Sequence, residues 1–231
     1  MSDRLHAIRF PNESEPYRAA RDELLAAEIA LRERLEAVAA LRRALPAGGT
    51  APEDYTFDEL VDGAKRQTRL SELFGGKPSL LVYSFMYGPT AELPCPMCTS
   101  FLDGLDRAVL HVAQRLPVVV VARSPIEKIR AFADQRGWSR LRLLSSGAND
   151  YNRDYHAELA SGAQIPACNV FTLRDGIIRH FWSAEMLYAP AAGHARHIDL
   201  LWPIWSFFDL TPEGRENWMP RLAYEAPLDS D

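Results

Sequence analysis

The chain of 231 residues and 26.0 kDa is long enough to bury a full core as one domain with an appendage, or as two small domains. Its 26 basic and 31 acidic side chains leave a formal net charge of −5 with no dense Lys/Arg run, which argues against nucleic-acid and anionic-membrane partners, since both need clustered positive charge. No apolar stretch approaches a membrane span of about 20 residues. Met1–His6 lacks the apolar centre of a signal peptide, and three cysteines are too few for a secreted disulfide framework, so a cytoplasmic chain is expected.

In chain order, the pattern predicts one long helix over residues 17–45, with Leu24, Leu31, Val38 and Leu45 repeating every seven and Leu35 and Leu41 alongside. That stripe is expected to be buried on the chain's own sheet domain or on a second copy, which makes a homodimer one expected partner. Pro46-Ala47-Gly48-Gly49-Thr50-Ala51-Pro52 breaks the helix and reads as a linker, giving a helical arm over residues 1–50 and a main domain over 51–231. Weak strands are predicted at Tyr55–Phe57 and Gln67–Leu70, followed by a short turn over Glu72-Leu73-Phe74 capped by Ser71. Leu80–Phe85 reads as a buried strand, and from Thr99 the apolar residues Phe101, Leu102, Leu105, Val109, Val112 and Leu116 recur at helical steps. Val118–Val121 is an unbroken aliphatic run, typical of a strand covered on both faces. A helix from Ser124-Pro125 to Arg136, closed by Gly137, leads to a short strand at Leu141–Leu144. Asn169–Leu173 and Ile177–Trp182 flank Asp175-Gly176, a strong hairpin signal. The tail carries Trp202, Trp205, Phe207, Phe208 and Trp218, expected to cover the sheet or a cleft.

The chemistry is carried by Cys95-Pro96-Met97-Cys98, which lies between the Leu80–Phe85 strand and the helix that follows. A C-x-x-C at such a junction sets its first sulfur at a helix N-terminus, where unpaired N–H groups and the dipole favour an anion. This lowers the thiol pKa and populates the thiolate, the form that attacks disulfides. Pro96 suits the first helical turn, because its missing N–H would be unpaired there anyway. Cys95 is therefore expected to be the more exposed and more acidic thiol that attacks, and Cys98 the shielded thiol that resolves the mixed disulfide. The redox group is then the dithiol itself, with no cofactor and no metal expected, and the partner is a thiol or disulfide substrate. Cys168 reads as a buried strand cysteine. Asp154 and Glu158 read as surface helix charges, Asp103 as a solvated helix charge, and Arg123 as a salt-bridge residue. Two other readings are open at this point. One is a thiol peroxidase using Cys95. The other is a redox-silent or zinc-binding interaction module, with Cys95 and Cys98 at zinc-ligand spacing and His194 and His197 three apart.

The order of strand, C-x-x-C helix, strand, helix, X-Pro and hairpin is the layout of the α/β thioredoxin-like fold, with Gln164-Ile165-Pro166 directly before the hairpin. In that fold the proline is cis and packs on the motif. The likeness implies a cis Ile165–Pro166 bond and a substrate groove lined by Pro96, Met97, Ile165 and Pro166. The chain further resembles a bacterial family of predicted dithiol–disulfide oxidoreductases (domain of unknown function 899), related to the thioredoxin superfamily and its peroxiredoxin-like AhpC/TSA branch. The matching segments are Tyr83-Ser84-Phe85-Met86-Tyr87-Gly88-Pro89, the cysteine motif, Val121-Ala122-Arg123-Ser124-Pro125, Gly137-Trp138, Tyr151-Asn152-Arg153-Asp154-Tyr155 and Asp209-Leu210-Thr211-Pro212-Glu213-Gly214-Arg215. The resemblance covers nearly the whole chain and implies a peroxiredoxin-like variant of the fold with thiol–disulfide activity. Two departures qualify it. Gly88 and Glu92 stand where peroxiredoxins carry the Pro and Thr/Ser of their peroxide pocket, and Pro94 replaces the Trp of thioredoxin's motif, with no acid between Leu80 and Tyr87.

Overall fold

The computed structural model describes residues 5–189, 198 and 201–224, which fall into two compact units, Met1–Pro46 and Ala47–Asp231. The first unit is built on α1 (Glu15–Arg43). Ser14 caps it, its hydroxyl accepting from the Tyr17 N–H at 3.3 Å, and Glu15 at the start and Arg42 and Arg43 at the end complement the helix dipole. The buried side chain of α1 is not a leucine but Arg18, held by Glu13 at 3.4 Å and Asp22 at 3.0 Å. The seven-residue stripe is open: Leu24, Leu31 and Leu45 are 48%, 59% and 42% exposed, and Val38 is half-buried.

The second unit is one seven-stranded sheet in the order β2-β1-β5-β4-β3-β6-β7. Its first hairpin, β1 (Thr56–Val61) and β2 (Ala64–Arg69), turns at Asp62-Gly63 with φ of +51° and +78°. A two-residue turn with both φ positive matches the twist of the flanking strands, which is why Asp-Gly serves there. The two weak strands expected in this region are the halves of that hairpin, and the turn lies in a polar stretch whose Asp-Gly signal the alternation alone did not bring out. In α2 (Leu70–Leu73) the expected cap is corrected: Ser71 lies inside the first turn and donates from its N–H and hydroxyl to Asp54 at 2.8 and 2.6 Å. The Arg69 N–H is taken by the Glu72 carboxylate at 2.7 Å.

The central strands β3 (Ser79–Ser84), β4 (Val118–Ala122) and β5 (Arg142–Ser145) run parallel, and every residue of β4 is buried. The crossovers are α3 (Pro96–Val112) and α4 (Ile126–Arg136), the latter closed by Gly137 at φ +72°. The hairpin β6 (Ala167–Arg174) and β7 (Ile177–Ser183), turned at Asp175-Gly176, lies antiparallel on the other side of β3. The set β4-β3-β6-β7, a parallel pair beside an antiparallel hairpin, is the thioredoxin-like arrangement read from the sequence; β5 and the first hairpin widen it.

Alternation along β3 divides the core between the two faces of the sheet. Tyr83 points to a cluster with Cys98, Phe101, Leu102, Val120 and Cys168, while Leu80 and Val82 point to one with Tyr55, Phe57, Tyr151 and Phe171. The aromatic tail joins the first cluster through buried Trp202 and Trp205, the latter on α5 (Ile204–Phe208), with Phe208 and Trp218 packed alongside. The expected linker is not free within this unit. Ala51 donates to the Ile178 carbonyl and His180 to the Gly49 carbonyl, both at 2.9 Å, so the segment adds a short rung to β7. Gly48 is needed there because a Cβ would fall 1.7 Å from the His180 carbonyl oxygen. No helix among the described residues is long and apolar enough to cross a membrane.

Candidate active site at the start of α3

The loop from Phe85 to Pro94 carries the chain from the end of β3 to the cysteines, and it is tied to the β4–α4 junction at several points. The Phe85 N–H continues the ladder to the Val121 carbonyl at 2.8 Å. Ser124 donates its N–H to the Tyr87 carbonyl at 2.9 Å and its hydroxyl to the Gly88 carbonyl at 2.8 Å. The Lys128 ammonium donates to the carbonyls of Pro89 and Ala91 and lies 5.0 Å from the centroid of the Tyr87 ring. Cys95 then donates its N–H to the Met86 carbonyl at 3.1 Å, which folds the loop back on itself and starts the helix.

Cys95 is the N-cap of α3, with extended backbone at φ −62° and ψ 124°, and Pro96 takes the first helical position. Thr99 donates to the Cys95 carbonyl from both its N–H and its hydroxyl, each at 3.0 Å. Cys95 is half-buried and Cys98 fully buried, one turn into the helix, and all three cysteines are free thiols. Hydrogen bonding from the Cys98 thiol is the largest influence on Cys95. It acts with the backbone N–H groups of Cys98 and Met97, against a contrary effect of burial, to bring the Cys95 pKa down to about 6. Cys98 moves the other way: burial and its hydrogen bond to the Cys95 sulfur push its thiol well above the ordinary range. The two thiols therefore differ in setting: Cys95 is half-buried with its pKa lowered, and Cys98 is fully buried with its pKa raised.

Tyr83 is the contributor that the motif does not announce. Its hydroxyl is hydrogen-bonded to Cys98, and its ring lies 4.7 Å from that of Phe101 on α3. Burial, with the neighbouring cysteine sulfurs, holds the phenol protonated far above its usual pKa. Directly across the sheet, Cys168 pairs with Tyr83 in the β3–β6 register, and burial pushes its thiol up to about 12, as expected of a structural cysteine. The only sequence signal for Tyr83 is a hydroxyl-bearing aromatic directly after the aliphatic run Leu80–Val82 of a buried strand.

Pro96 and Met97 are half-buried at the first turn of α3. Ile165 and Pro166 are half-buried and lead into Ala167, which pairs with Ser84 at the end of β3 from which the motif loop departs. The Gln164 side chain would lie 3.6 Å from a Cβ at Gly88, so this segment borders the loop. The expected cis bond is not found: the Ile165–Pro166 peptide is trans. The Ile165 N–H donates to the Ala157 carbonyl and the Leu159 N–H to the Ala163 carbonyl, both at 2.9 Å, so the chain arrives extended and a trans bond continues it straight into β6.

Four polar residues singled out in the sequence make specific contacts. Asp103 is not a solvated helix charge. Its carboxylate accepts from the Arg136 guanidinium and from the Trp138 indole at 2.8 Å, joining α3 to the end of α4. Asp154 is an exposed helix charge, as expected, and accepts from the Tyr55 hydroxyl at 2.5 Å; Glu158 instead lies half-buried outside the helix as the ion-pair partner of Arg123 at 2.8 Å. Arg123, as expected, is a salt-bridge residue; it also donates to the Asn149 carbonyl at 2.8 Å. Among the described residues no three His, Cys, Asp or Glu side chains are grouped to hold a metal ion; His194 and His197 lie outside the described residues.

A family model described as a bacterial protein of unknown function (DUF899) matches residues 8–226. No curated protein matches the chain. Among solved structures it is similar to the reduced 2-Cys peroxiredoxin of Plasmodium vivax, with 18% identity and TM-score 0.47 over 67% of this chain and 91% of that one. It is similar also to AhpC of Enterococcus faecalis, with 15% identity and TM-score 0.47 over 71% and 94% of the two chains. The peroxidoxin BcpB of Mycobacterium tuberculosis gives 20% identity and TM-score 0.44 over 68% and 94%.

Proposed function

We propose, for a chain that belongs to the DUF899 family of bacterial proteins, a thiol–disulfide oxidoreductase activity in which Cys95 attacks and Cys98 resolves. The observation that carries this reading is the placement of two free thiols at one helix N-terminus, Cys95 half-buried at the N-cap and Cys98 fully buried one turn on, which moves the Cys95 pKa down to about 6 and that of Cys98 upward. At pH 7 most Cys95 is thiolate, while Cys98 keeps its proton until it is needed.

In the first step the Cys95 thiolate attacks one sulfur of a substrate disulfide. A Cys95–substrate disulfide forms, and the other substrate sulfur leaves as a thiolate. In the second step Cys98 gives up its proton and attacks the Cys95 sulfur. The intramolecular Cys95–Cys98 disulfide forms, the second substrate thiol is released, and two electrons have passed from the dithiol to the substrate. The Tyr83 hydroxyl supports this step by donating to the Cys98 sulfur as negative charge develops on it. Run in reverse, the same pair oxidises a dithiol substrate. A stabilised Cys95 thiolate favours the reduced form, which makes the disulfide more oxidising than that of thioredoxin at roughly −270 mV. Pro96, Met97, Ile165 and Pro166 are the residues this reading assigns to the substrate groove, and a thiol or disulfide in the cytoplasm is its partner.

The test is a trap. With Cys98→Ser the second step cannot occur, so incubation with a model disulfide such as oxidised glutathione should leave a stable mixed disulfide on Cys95, detected by mass. Cys95→Ser should give none. A Cys98→Ser protein that never forms the adduct would overturn the reading.

A further inference from the structure

We propose that α1 is a homodimerisation element, pairing side by side and antiparallel with α1 of a second copy of the chain. The helix has 29 residues, about 44 Å at 1.5 Å per residue, and its apolar stripe faces water along most of that length. Tyr17 extends the series of Leu24, Leu31, Val38 and Leu45 by one further seven-residue step, and it too is half-exposed. Seven-residue spacing is the signature of a seam that meets another helix. Ala20 and Ala27, and separately Ala30, Ala37 and Ala44, repeat at seven-residue steps beside the stripe, and their small side chains let two backbones approach closely.

The charges say which helix the partner is and which way it runs. Residues 15–30 carry four acidic and two basic side chains, whereas residues 31–43 carry two acidic and four basic. The two halves are thus opposite in sign and equal in size. Laid antiparallel on its own copy, the acidic half of each helix faces the basic half of the other, and the helix dipoles oppose favourably. Laid parallel, like would meet like along the whole seam. Self-complementarity of this kind is what a two-fold symmetric contact requires.

The experiment is sedimentation equilibrium of the full chain and its variants at low ionic strength. The parent should run at twice its 26.0 kDa monomer mass. Leu31→Glu with Val38→Glu should give a monomer. Glu23→Lys with Glu28→Lys makes both halves basic and should weaken the dimer at least tenfold. Adding Arg32→Glu and Arg34→Glu to that variant restores opposite halves and should recover the dimer. These four charged positions are exposed, so the swaps leave folding intact; unchanged far-ultraviolet circular dichroism checks this. A monomeric parent, including one whose α1 amides are protected from exchange by its own second unit, overturns the proposal. A charge reversal that leaves the dissociation constant unchanged overturns the antiparallel pairing.

Discussion

The Cys95 sulfur accepts hydrogen bonds from the Cys98 thiol and from two backbone N–H groups, and each of these stabilises its anion. Iodoacetamide alkylation of Cys95 should therefore rise with pH along a curve centred near 6, well before free cysteine reacts. Cys98→Ala removes the leading donor and should shift that curve upward. A related sign follows for stability. The folded pKa of Cys95 is depressed below its ordinary value of about 8.5, so between pH 6 and that value the unfolded chain holds a proton that the folded one does not. The reduced protein should gain stability as pH rises through this window and lose it as pH falls back through 6. Tyr83→Phe deletes the hydroxyl that reaches Cys98. Losing a hydrogen bond worth about 1 kcal/mol should slow release of a preformed Cys95 mixed disulfide about fivefold, read by stopped-flow thiol release, with the Cys95 alkylation curve nearly unmoved. Both cysteines were legible from spacing alone. Tyr83 was not, because its contact crosses from a strand to the helix after it, and only packing of α3 on the sheet brings the two into one cluster.

At the scale of elements, the hairpins show local rules at work, and the polar clamps show where those rules stop. Asp175-Gly176 was read directly because aliphatic strands flank it; Asp62-Gly63 has the same geometry but sits between strands rich in charge, Asp58 and Glu59 on one and Lys65, Arg66 and Arg69 on the other. The trans Ile165–Pro166 bond shows the limit of analogy: element order gave where the segment lies but not its isomer, and the segment arrives extended with the Ile165 N–H donating to the Ala157 carbonyl. Glu59 was invisible in the sequence. Burial works against its charge, but Arg142 at 2.8 and 2.9 Å, Thr68 at 2.9 Å and Arg66 at 3.2 Å outweigh that and hold its carboxyl below the usual range. A depressed pKa gives stability that is present above the unfolded value of about 4.3 and lost as pH falls through the folded one. Glu59→Gln should therefore cost about 1–3 kcal/mol at pH 7 in urea titrations, with the deficit shrinking in acid. Asp103→Ala strands the Trp138 indole and the Arg136 guanidinium, and should cost about 1–2 kcal/mol with a shift in Trp138 emission.

For the whole molecule, alternation of strand and helix signals was enough to give the thioredoxin-like order of β3, α3, β4 and the β6–β7 hairpin, because buried parallel strands read as aliphatic runs. What it could not give was the pairing of β1 with β5, a single antiparallel contact at Asp58 and Ser145 that no local pattern encodes. That sheet holds the loop that places Cys95 at a helix N-terminus with Cys98 behind it, and the central claim is that these two sulfurs form a reversible redox pair. The most direct test is equilibration of the purified protein in glutathione buffers of graded potential, with the Cys95–Cys98 disulfide counted by mass after acid quench and alkylation. A two-electron transition above about −270 mV, abolished by either Cys→Ser variant and untouched by Cys168→Ser, is the predicted result. Cysteines that stay reduced across the whole range, or a disulfide that engages Cys168 instead, would contradict it.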